Sequence, residues 1–249
     1  MPSPIPIRAG AEIPLHERLI FALDVDSFAA AKQWIDRLDD GVGFYKIGME
    51  LLATGEYFRV LELLAARDKA IFVDLKFHDV PATVAAAVRR LAQWPVRFCT
   101  LHSYAAMLQA ACEVKGDLRL LAVTVLTSMD AADLGDQGVQ QSPAQAALQR
   151  AIRARASGCD GVIASGLEAA AIRAATSDDF LIVCPGIRAP AERGSDDQKR
   201  TLSAGEAFAA GADHIVVGRP IRAAADPRAA ALAMRDEIEA SLKQYKSIT

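Results

Sequence analysis

Cysteine is scarce in this chain, and its few residues are not spaced for metal or disulfide chemistry. The 249 residues contain 4 cysteines, at positions 99, 112, 159 and 184. No Cys-x-x-Cys pair occurs, and no group of cysteines and histidines has the spacing of a metal site. Three of the four cysteines lie in or beside apolar runs. We therefore expect buried, reduced thiols in a cytoplasmic protein.

The chain also lacks an excess of positive charge and any long apolar run. Its formal net charge is −3, so no electrostatic footprint for nucleic acid or an anionic membrane is present. No apolar run approaches the length of a membrane span. Residues 1–14 are rich in proline and have no apolar core of the kind found in signal peptides. We expect no nucleic-acid or membrane partner, and we interpret residues 1–17 as an irregular N-terminal arm.

Short apolar runs, by contrast, are frequent and regularly spaced. Eight of them alternate with helical stretches, at residues 19–23, 43–47, 71–73, 97–101, 118–126, 161–164, 180–184 and 214–217. This alternation and the chain length predict a (β/α)8 barrel, the TIM barrel of the α/β class, as a single domain over residues 1–249. A doubly wound sheet would require a Gly-rich turn after the first strand, where this chain has DVDSFA. Residues 129–141 are expected to form a polar loop.

The third apolar run leads directly into a cluster of charge. Asp74 and Lys76 follow it, and Asp79 comes three residues later, just before Pro81 and an Ala-rich helix. Because side chains alternate along a strand, Asp74 and Lys76 share one face. A solvated salt bridge is the simple interpretation, but the carboxyl ends of apolar parallel strands are where α/β proteins place active sites. We favour an active site.

Other strand ends carry polar residues that a barrel would bring to the same mouth. Gly218 and Arg219 follow the eighth strand, where backbone N–H groups and an Arg fork suit a phosphate group. Asp24 and Lys46 are either solvated charges or ligands for sugar hydroxyls, and Ser128 is either a site residue or a helix cap. We interpret His78 and His102 as structural residues. Gln198, in the loop 187–200, is interpreted as a hydrogen-bond donor to the phosphate.

These residues resemble a known family. The segment DLKFHDVPAT, from Asp74 to Thr83, is similar to the D-x-K-x-x-D-x-P-x-T signature of the orotidine 5′-phosphate decarboxylases. The motifs ALDVD, YKIG, LTSMD, PGIR, DQKR and VGRPI extend the resemblance over almost the whole chain. The resemblance implies a homodimer with shared active sites. It also implies conversion of orotidine 5′-monophosphate to UMP and CO2, the last step of UMP biosynthesis, without metal or organic cofactor.

The resemblance also implies a role for each matching residue. Lys76 would be the proton donor, flanked by Asp74 and by an Asp79 contributed from the partner subunit. The implied substrate-binding residues hold the ribose, the pyrimidine edge and the phosphate; they are Asp24, Lys46, Thr83, Ser128, Pro185, Arg188, Gln198, Gly218 and Arg219. The chain departs from the bacterial pattern at residues 203–204 and at Ala189. The resemblance therefore defines the conformation of the seventh loop and of the helix after it less well.

Three alternative functions remain open from the residues alone. Mg²⁺-dependent sugar-phosphate decarboxylases and aldolases share this barrel and its D-x-K-x-x-D core, and Glu50 is placed to be a metal ligand in such an enzyme. A Schiff-base aldolase would use Lys76 as its nucleophile, although such a lysine usually has a depressed pKa. A nucleotide-binding protein without catalysis is the third alternative.

Overall fold

Eight parallel strands close into a barrel in this computed structural model, which describes residues 13–188 and 200–246. Each strand pairs with the next along the chain, and the eighth pairs with the first. The strands are β1 (Leu19–Ala22), β2 (Phe44–Gly48), β3 (Ala70–Phe77), β4 (Phe98–His102), β5 (Arg119–Val123), β6 (Gly161–Ile163), β7 (Leu181–Cys184) and β8 (His214–Val217). The predicted (β/α)8 barrel is confirmed.

Helices of the described segments surround the barrel. They are α1 (Leu15–Arg18), α2 (Phe28–Leu38), α3 (Met49–Ala53), α4 (Tyr57–Ala66), α5 (Pro81–Leu91), α6 (Ala105–Cys112), α7 (Ala131–Asp136), α8 (Pro143–Ala156), α9 (Gly166–Ala175), α10 (Ala204–Ala209), α11 (Arg219–Arg222) and α12 (Pro227–Lys246). As the sequence predicts, Ser27 caps α2 by accepting a hydrogen bond from the Ala30 N–H group. None of these helices is both long and apolar enough to span a membrane.

The prediction of a polar loop over residues 129–141 is wrong in part. Helix α7 lies inside this segment, because Asp130 and Asp133 form a reciprocal capping box and Leu134 is fully buried. Strand β5 ends three residues earlier than predicted, since the carbonyls of Val125 and Leu126 accept hydrogen bonds from Arg200 instead of a neighbouring strand. Of the expected N-terminal arm, residues 1–12 lie outside the described residues, and residues 15–17 begin α1.

The barrel interior has an aromatic layer, and a polar layer lies next to it towards the carboxyl ends of the strands. Inward-facing Phe44, Phe72 and Phe98 come from the neighbouring strands β2, β3 and β4, with ring centroids 5.0 Å apart for Phe44 and Phe98 and 5.9 Å apart for Phe72 and Phe98. Two residues further along each strand, the next inward positions are Lys46, Asp74 and Thr100. The fold therefore places the polar groups next to a buried aromatic layer, at the carboxyl end of the barrel.

Candidate active site

Charges of alternating sign form a row across the barrel mouth, running Arg222, Asp24, Lys46, Asp74 and Lys76. Lys46 Nζ lies 2.8 Å from Asp24 Oδ1 and 3.6 Å from Asp74 Oδ2. Lys76 Nζ lies 2.9 Å from Asp74 Oδ1, and Arg222 Nη2 lies 3.6 Å from Asp24 Oδ2. Three cations thus alternate with two carboxylates, which leaves one net positive charge for an anionic ligand.

Burial strengthens the interactions in the middle of this row. Burial alone would raise the pKa of Asp74, but Lys46 and Lys76 outweigh it and the pKa falls below its ordinary value. Burial likewise acts to lower the pKa of Lys46, yet Asp74 and Asp24 raise it above its ordinary value. Both groups therefore stay charged at neutral pH. An added Cβ at Gly48 would lie 3.3 Å from Lys46 Nζ, so this glycine leaves room for the ammonium.

The backbone at Lys76 is strained. Its φ is +50°, a left-handed conformation that is costly for a side chain with a Cβ. The β3–β4 pairing also shifts register between Val73 and Phe77. Simple strand alternation therefore does not by itself bring Lys76 beside Asp74, and the irregular backbone contributes to the 2.9 Å contact.

Two residues of this site were missed from the sequence. Thr100 is fully buried; its Oγ1 donates to Asp74 Oδ1 at 2.9 Å and accepts the Lys76 N–H at 3.0 Å. Arg222 donates to the Asp24 carbonyl at 2.7 Å and to the Ala22 carbonyl at 3.2 Å. Thr100 could have been found from the sequence, because it is a polar residue at an inward position of a predicted strand. Nothing in the sequence around Arg222 indicates its role.

Asp79 and Thr83 lie apart from this row. Both side chains are exposed, and Asp79 Oδ1 accepts a hydrogen bond from the Val80 N–H at 2.6 Å. Among ion pairs of residues 13–188 and 200–246, none joins Asp79 to Lys76 of the same chain. Within one chain, the charged row therefore contains two of the three residues expected to carry the chemistry.

The predicted phosphate-binding residues follow β7 and β8, and those after β8 lie beside the Arg222 end of the row. Gly218 precedes α11, where Arg219 is exposed. Arg188 is buried, and its N–H donates to the Leu202 carbonyl at 2.9 Å. Pro185 is half-buried after β7. Gln198 lies outside the described residues.

Ser128 is half-buried in a turn after β5 and does not cap a helix, because Asp130 is the N-cap of α7. Close to this turn, Arg200 pairs with the buried Glu168 at 2.6 Å and donates to the Val125 and Leu126 carbonyls. This ion pair fastens the segment that follows β7 to the ends of β5 and β6.

His78 and His102 lie side by side, with ring centroids 5.1 Å apart. Burial, followed by the nearby His78 and Lys76, lowers the pKa of His102 below its ordinary value. A neutral His102 adds no charge to the row, in agreement with the structural role that the sequence suggests.

The geometry disfavours a divalent metal at the carboxylates of the row. Lys46 Nζ already lies between Asp24 and Asp74 at 2.8 and 3.6 Å, which is where a cation would have to bind both groups. Glu50 is exposed on α3. Within the described part of the chain, no group of three or more His, Cys, Asp or Glu side chains is arranged to hold a metal ion.

Comparison with known proteins agrees with this geometry. Residues 17–234 match the family described as orotidine 5′-phosphate decarboxylase / HUMPS. The chain belongs to this family. A relative from Xanthomonas euvesicatoria, named orotidine 5′-phosphate decarboxylase, is 61% identical over 239 residues, covering 95% of this chain and 98% of its own. A protein of the same name from Stenotrophomonas maltophilia is 57% identical over 242 residues, covering 96% and 98%.

Solved structures of the family have the same fold. The crystal structure of orotidine 5′-phosphate decarboxylase from Lactobacillus acidophilus is 35% identical and has a TM-score of 0.77. It covers 89% of this chain and 99% of its own. The resemblance inferred from strand-end motifs is therefore confirmed at the level of the family.

Proposed function

We propose that this protein is a carboxy-lyase that converts orotidine 5′-monophosphate to UMP and CO2, the last step of UMP biosynthesis. The family match and the names of relatives with about 60% identity support this activity. The observation that carries the mechanism is the alternating row, in which Lys76 is held 2.9 Å from Asp74 at the barrel mouth. We assign the protein to the cytoplasm and interpret the chain as one barrel domain.

The reaction needs a fixed cation more than it needs a base. Loss of CO2 from the pyrimidine ring leaves an electron pair in the ring plane, with no adjacent π system to delocalise it. The Lys76 ammonium is positioned to stabilise this charge and then to donate a proton to the same carbon. Preorganised charges of this kind are often the largest contribution to catalysis in a closed site.

Asp74 has two roles in this proposal. Its Oδ1 accepts a hydrogen bond from Lys76 Nζ at 2.9 Å, which fixes the direction of the ammonium group. Because the pKa of Asp74 is lowered, the group also stays ionised beside the substrate carboxylate. Repulsion between the two carboxylates is relieved when CO2 leaves, and it is a smaller, contested contribution.

Groups remote from the reacting bond bind the rest of the nucleotide. We assign the ribose hydroxyls to Asp24 and Lys46, the pyrimidine edge to Ser128, and the phosphate to Arg219 and Gln198. The further phosphate-side contacts are assigned to Pro185, Arg188 and Gly218. Binding energy gained at the phosphate can be used to close and desolvate the site, and thereby to increase turnover.

A homodimer with shared sites would explain the exposed position of Asp79. Large apolar side chains are exposed after three neighbouring strands: Met49 is 61% exposed, Val80 61% and Tyr104 49%. Their position on three neighbouring loops supports an interaction surface on this face of the barrel. We propose that a second copy covers it and receives Asp79 and Thr83 into its own active site.

An absorbance assay with orotidine 5′-monophosphate tests the activity, and Lys76→Ala tests the mechanism. The variant should lose many powers of ten in kcat while its affinity for UMP changes little. Lys115→Ala is a matched control, because Lys115 also pairs with an aspartate and its side chain is 20% exposed, against 25% for Lys76. Retention of even one-hundredth of the turnover by Lys76→Ala would exclude Lys76 as the proton donor.

Mixed dimers test the sharing of sites. In a heterodimer of Lys76→Ala and Asp79→Ala chains, the second chain keeps its Lys76 and receives an intact Asp79, while the other site lacks both. A purified, doubly tagged heterodimer should therefore recover about half of the wild-type turnover per dimer. If Asp79 served its own chain, each site would lack one group and the heterodimer would stay inactive.

A further inference from the structure

A buried threonine contacts both catalytic candidates at once. Thr100 Oγ1 donates to Asp74 Oδ1 at 2.9 Å and accepts the Lys76 N–H at 3.0 Å. Its side chain is fully buried, on the inward face of β4. A hydroxyl can act as donor and acceptor together, so this single group links a carboxylate orientation to a backbone conformation.

The contact with the Lys76 N–H stabilises an unfavourable backbone conformation. With φ at +50°, the Lys76 backbone is in a conformation that persists only where neighbouring contacts hold it. The register between β3 and β4 shifts at this point, so a regular strand hydrogen bond is replaced by the threonine hydroxyl. The same hydroxyl also helps to lower the pKa of Asp74.

We infer that Thr100 is a positioning residue for the decarboxylation, holding Asp74 and the strained Lys76 backbone in the reactive arrangement. The inference rests on the proposed roles of Asp74 and Lys76. Its function is geometric: without the hydroxyl, the Lys76 ammonium loses its fixed direction towards the reacting carbon. A misplacement of about 1 Å can reduce turnover by about 10²-fold.

The test compares Thr100→Val, Thr100→Ser and Thr124→Val. Valine keeps the shape and removes the hydroxyl, whereas serine restores it. Thr124 is a matched control, since it is also buried and donates to the Ile163 carbonyl at 2.8 Å without contacting the charged row. We expect Thr100→Val to lower kcat by roughly 10²-fold with little change in KM, and both other variants to keep most of the wild-type turnover.

A pH profile separates positioning from a general loss of structure. Loss of the Thr100 donor should raise the pKa of Asp74, so the acid limb of kcat should move to higher pH in Thr100→Val. A drop in kcat that serine does not rescue, or equal losses in Thr124→Val, would overturn the inference. Turnover retained by Lys76→Ala would instead refute the proposed mechanism, whereas an inactive Lys76→Ala with a fully active Thr100→Val would refute the role of Thr100 alone.

A second, independent feature lies at the other end of the barrel. Cys112 ends α6 and Cys159 precedes β6, and their sulfur atoms lie 3.8 Å apart although the residues are 47 positions apart in the chain. Both thiols are free; Cys112 is partly exposed and Cys159 is buried. The turn at Gly158 comes close to Cys112, since an added Cβ there would lie 3.5 Å from the Cys112 Cβ.

The surroundings make the two thiols unequal. A hydrogen bond from Cys159, and then the positive charge of Lys115, lower the pKa of Cys112 below its ordinary value. The pKa of Cys159 is raised, first by its hydrogen bond to Cys112 and then by burial. Lys115 is held in place by Asp160, at 2.5 and 2.6 Å. Because Cys112 is partly exposed and lies near the positive charge of Lys115, it is the more reactive thiol, and the buried Cys159 is within reach, at 3.8 Å, to resolve an oxidised form.

We propose that Cys112 and Cys159 are a site of reversible oxidation by peroxides. The Cys112 thiolate attacks hydrogen peroxide and forms a sulfenic acid as one water is released. Cys159 then attacks the Cys112 sulfur, which forms the disulfide and releases a second water. Two thiols are oxidised and one peroxide is reduced, and an external thiol reverses the step.

Mass spectrometry of the whole protein after mild peroxide treatment tests this site. We expect a loss of about 2 Da per chain, a peptide cross-linked between Cys112 and Cys159, and recovery with dithiothreitol. Neither Cys112→Ser nor Cys159→Ala should show the loss, and the fully buried Cys99 and Cys184 should stay unmodified. Oxygen addition without a cross-link, or a cross-link between chains, would overturn the proposal.

Discussion

Replacing Lys46 with methionine should destabilise the protein most strongly where carboxylates are ionised. The Lys46 side chain is 11% exposed and lies between Asp24, 36% exposed, and Asp74, 13% exposed. Methionine matches its length and apolar stem but supplies no charge. The variant therefore leaves two carboxylates facing each other across a mostly buried gap.

The magnitude follows from the different burial of the two carboxylates. Removing one partner of a buried ion pair typically costs about 3–5 kcal/mol. Asp24 is exposed enough for water to replace the lysine, so most of the cost falls on Asp74, which keeps its contact with Lys76. We therefore expect a loss near the lower limit, about 3 kcal/mol at pH 8.

The loss of stability caused by Lys46→Met should depend on pH. In the wild type, the lowered pKa of Asp74 contributes stability that is present above its unfolded pKa and is lost as the pH falls through the folded pKa. The raised pKa of Lys46 contributes stability that is present below its unfolded pKa and is lost at higher, alkaline pH. In Lys46→Met, Asp74 should protonate more readily, so the difference between variant and wild type should shrink as the pH falls from 8 towards 5.

Urea unfolding at a fixed protein concentration, followed by tryptophan fluorescence at pH 8 and pH 5.5, measures this difference. Lys32→Met is the control, because Lys32 pairs with Asp36 at 2.6 Å on an exposed helix surface and its loss should change the stability far less. An equal loss for both variants, or a Lys46→Met loss that is the same at both pH values, would refute the reasoning.

Three further predictions concern separate parts of the molecule. Lys76→Ala should abolish turnover while UMP binding persists, as measured by steady-state kinetics and calorimetry. Arg219→Ala should weaken the apparent affinity for orotidine 5′-monophosphate by about 2–3 kcal/mol, because hydrogen bonds to charged groups are the stronger ones; equal losses for orotidine, which has no phosphate, would contradict this role. Burial lowers the pKa of His214 to about 3, so its contribution to stability is lost as the pH falls below the unfolded value, by about 2 kcal/mol between pH 7 and pH 5. Urea unfolding of His214→Gln should show a correspondingly flatter pH dependence, and an unchanged slope would exclude His214 as the source.

Local sequence patterns determined most of the fold. Short apolar runs alternating with helical stretches predict parallel strands, and parallel strands place their carboxyl ends at one mouth. Asp24, Lys46, Asp74 and Lys76 could therefore be predicted to meet there. In the structure, each charged group of this row lies within 3.6 Å of the next. The boundaries of β5 and α7 were less accurate, because an arginine from a distant segment and a capping box decide them.

Tertiary structure decided how those charges are held. Thr100 lies beside Asp74 in the regular β3–β4 register, but its hydroxyl accepts the Lys76 N–H where that register shifts and Lys76 takes a positive φ. Arg222 joins Asp24 across a separation of 198 residues. A pattern along the chain reports which side chains share a face, since that depends on the repeat of a strand or helix. It cannot report contacts whose geometry is set by where two distant segments pack against each other, and these contacts orient the charges at the barrel mouth.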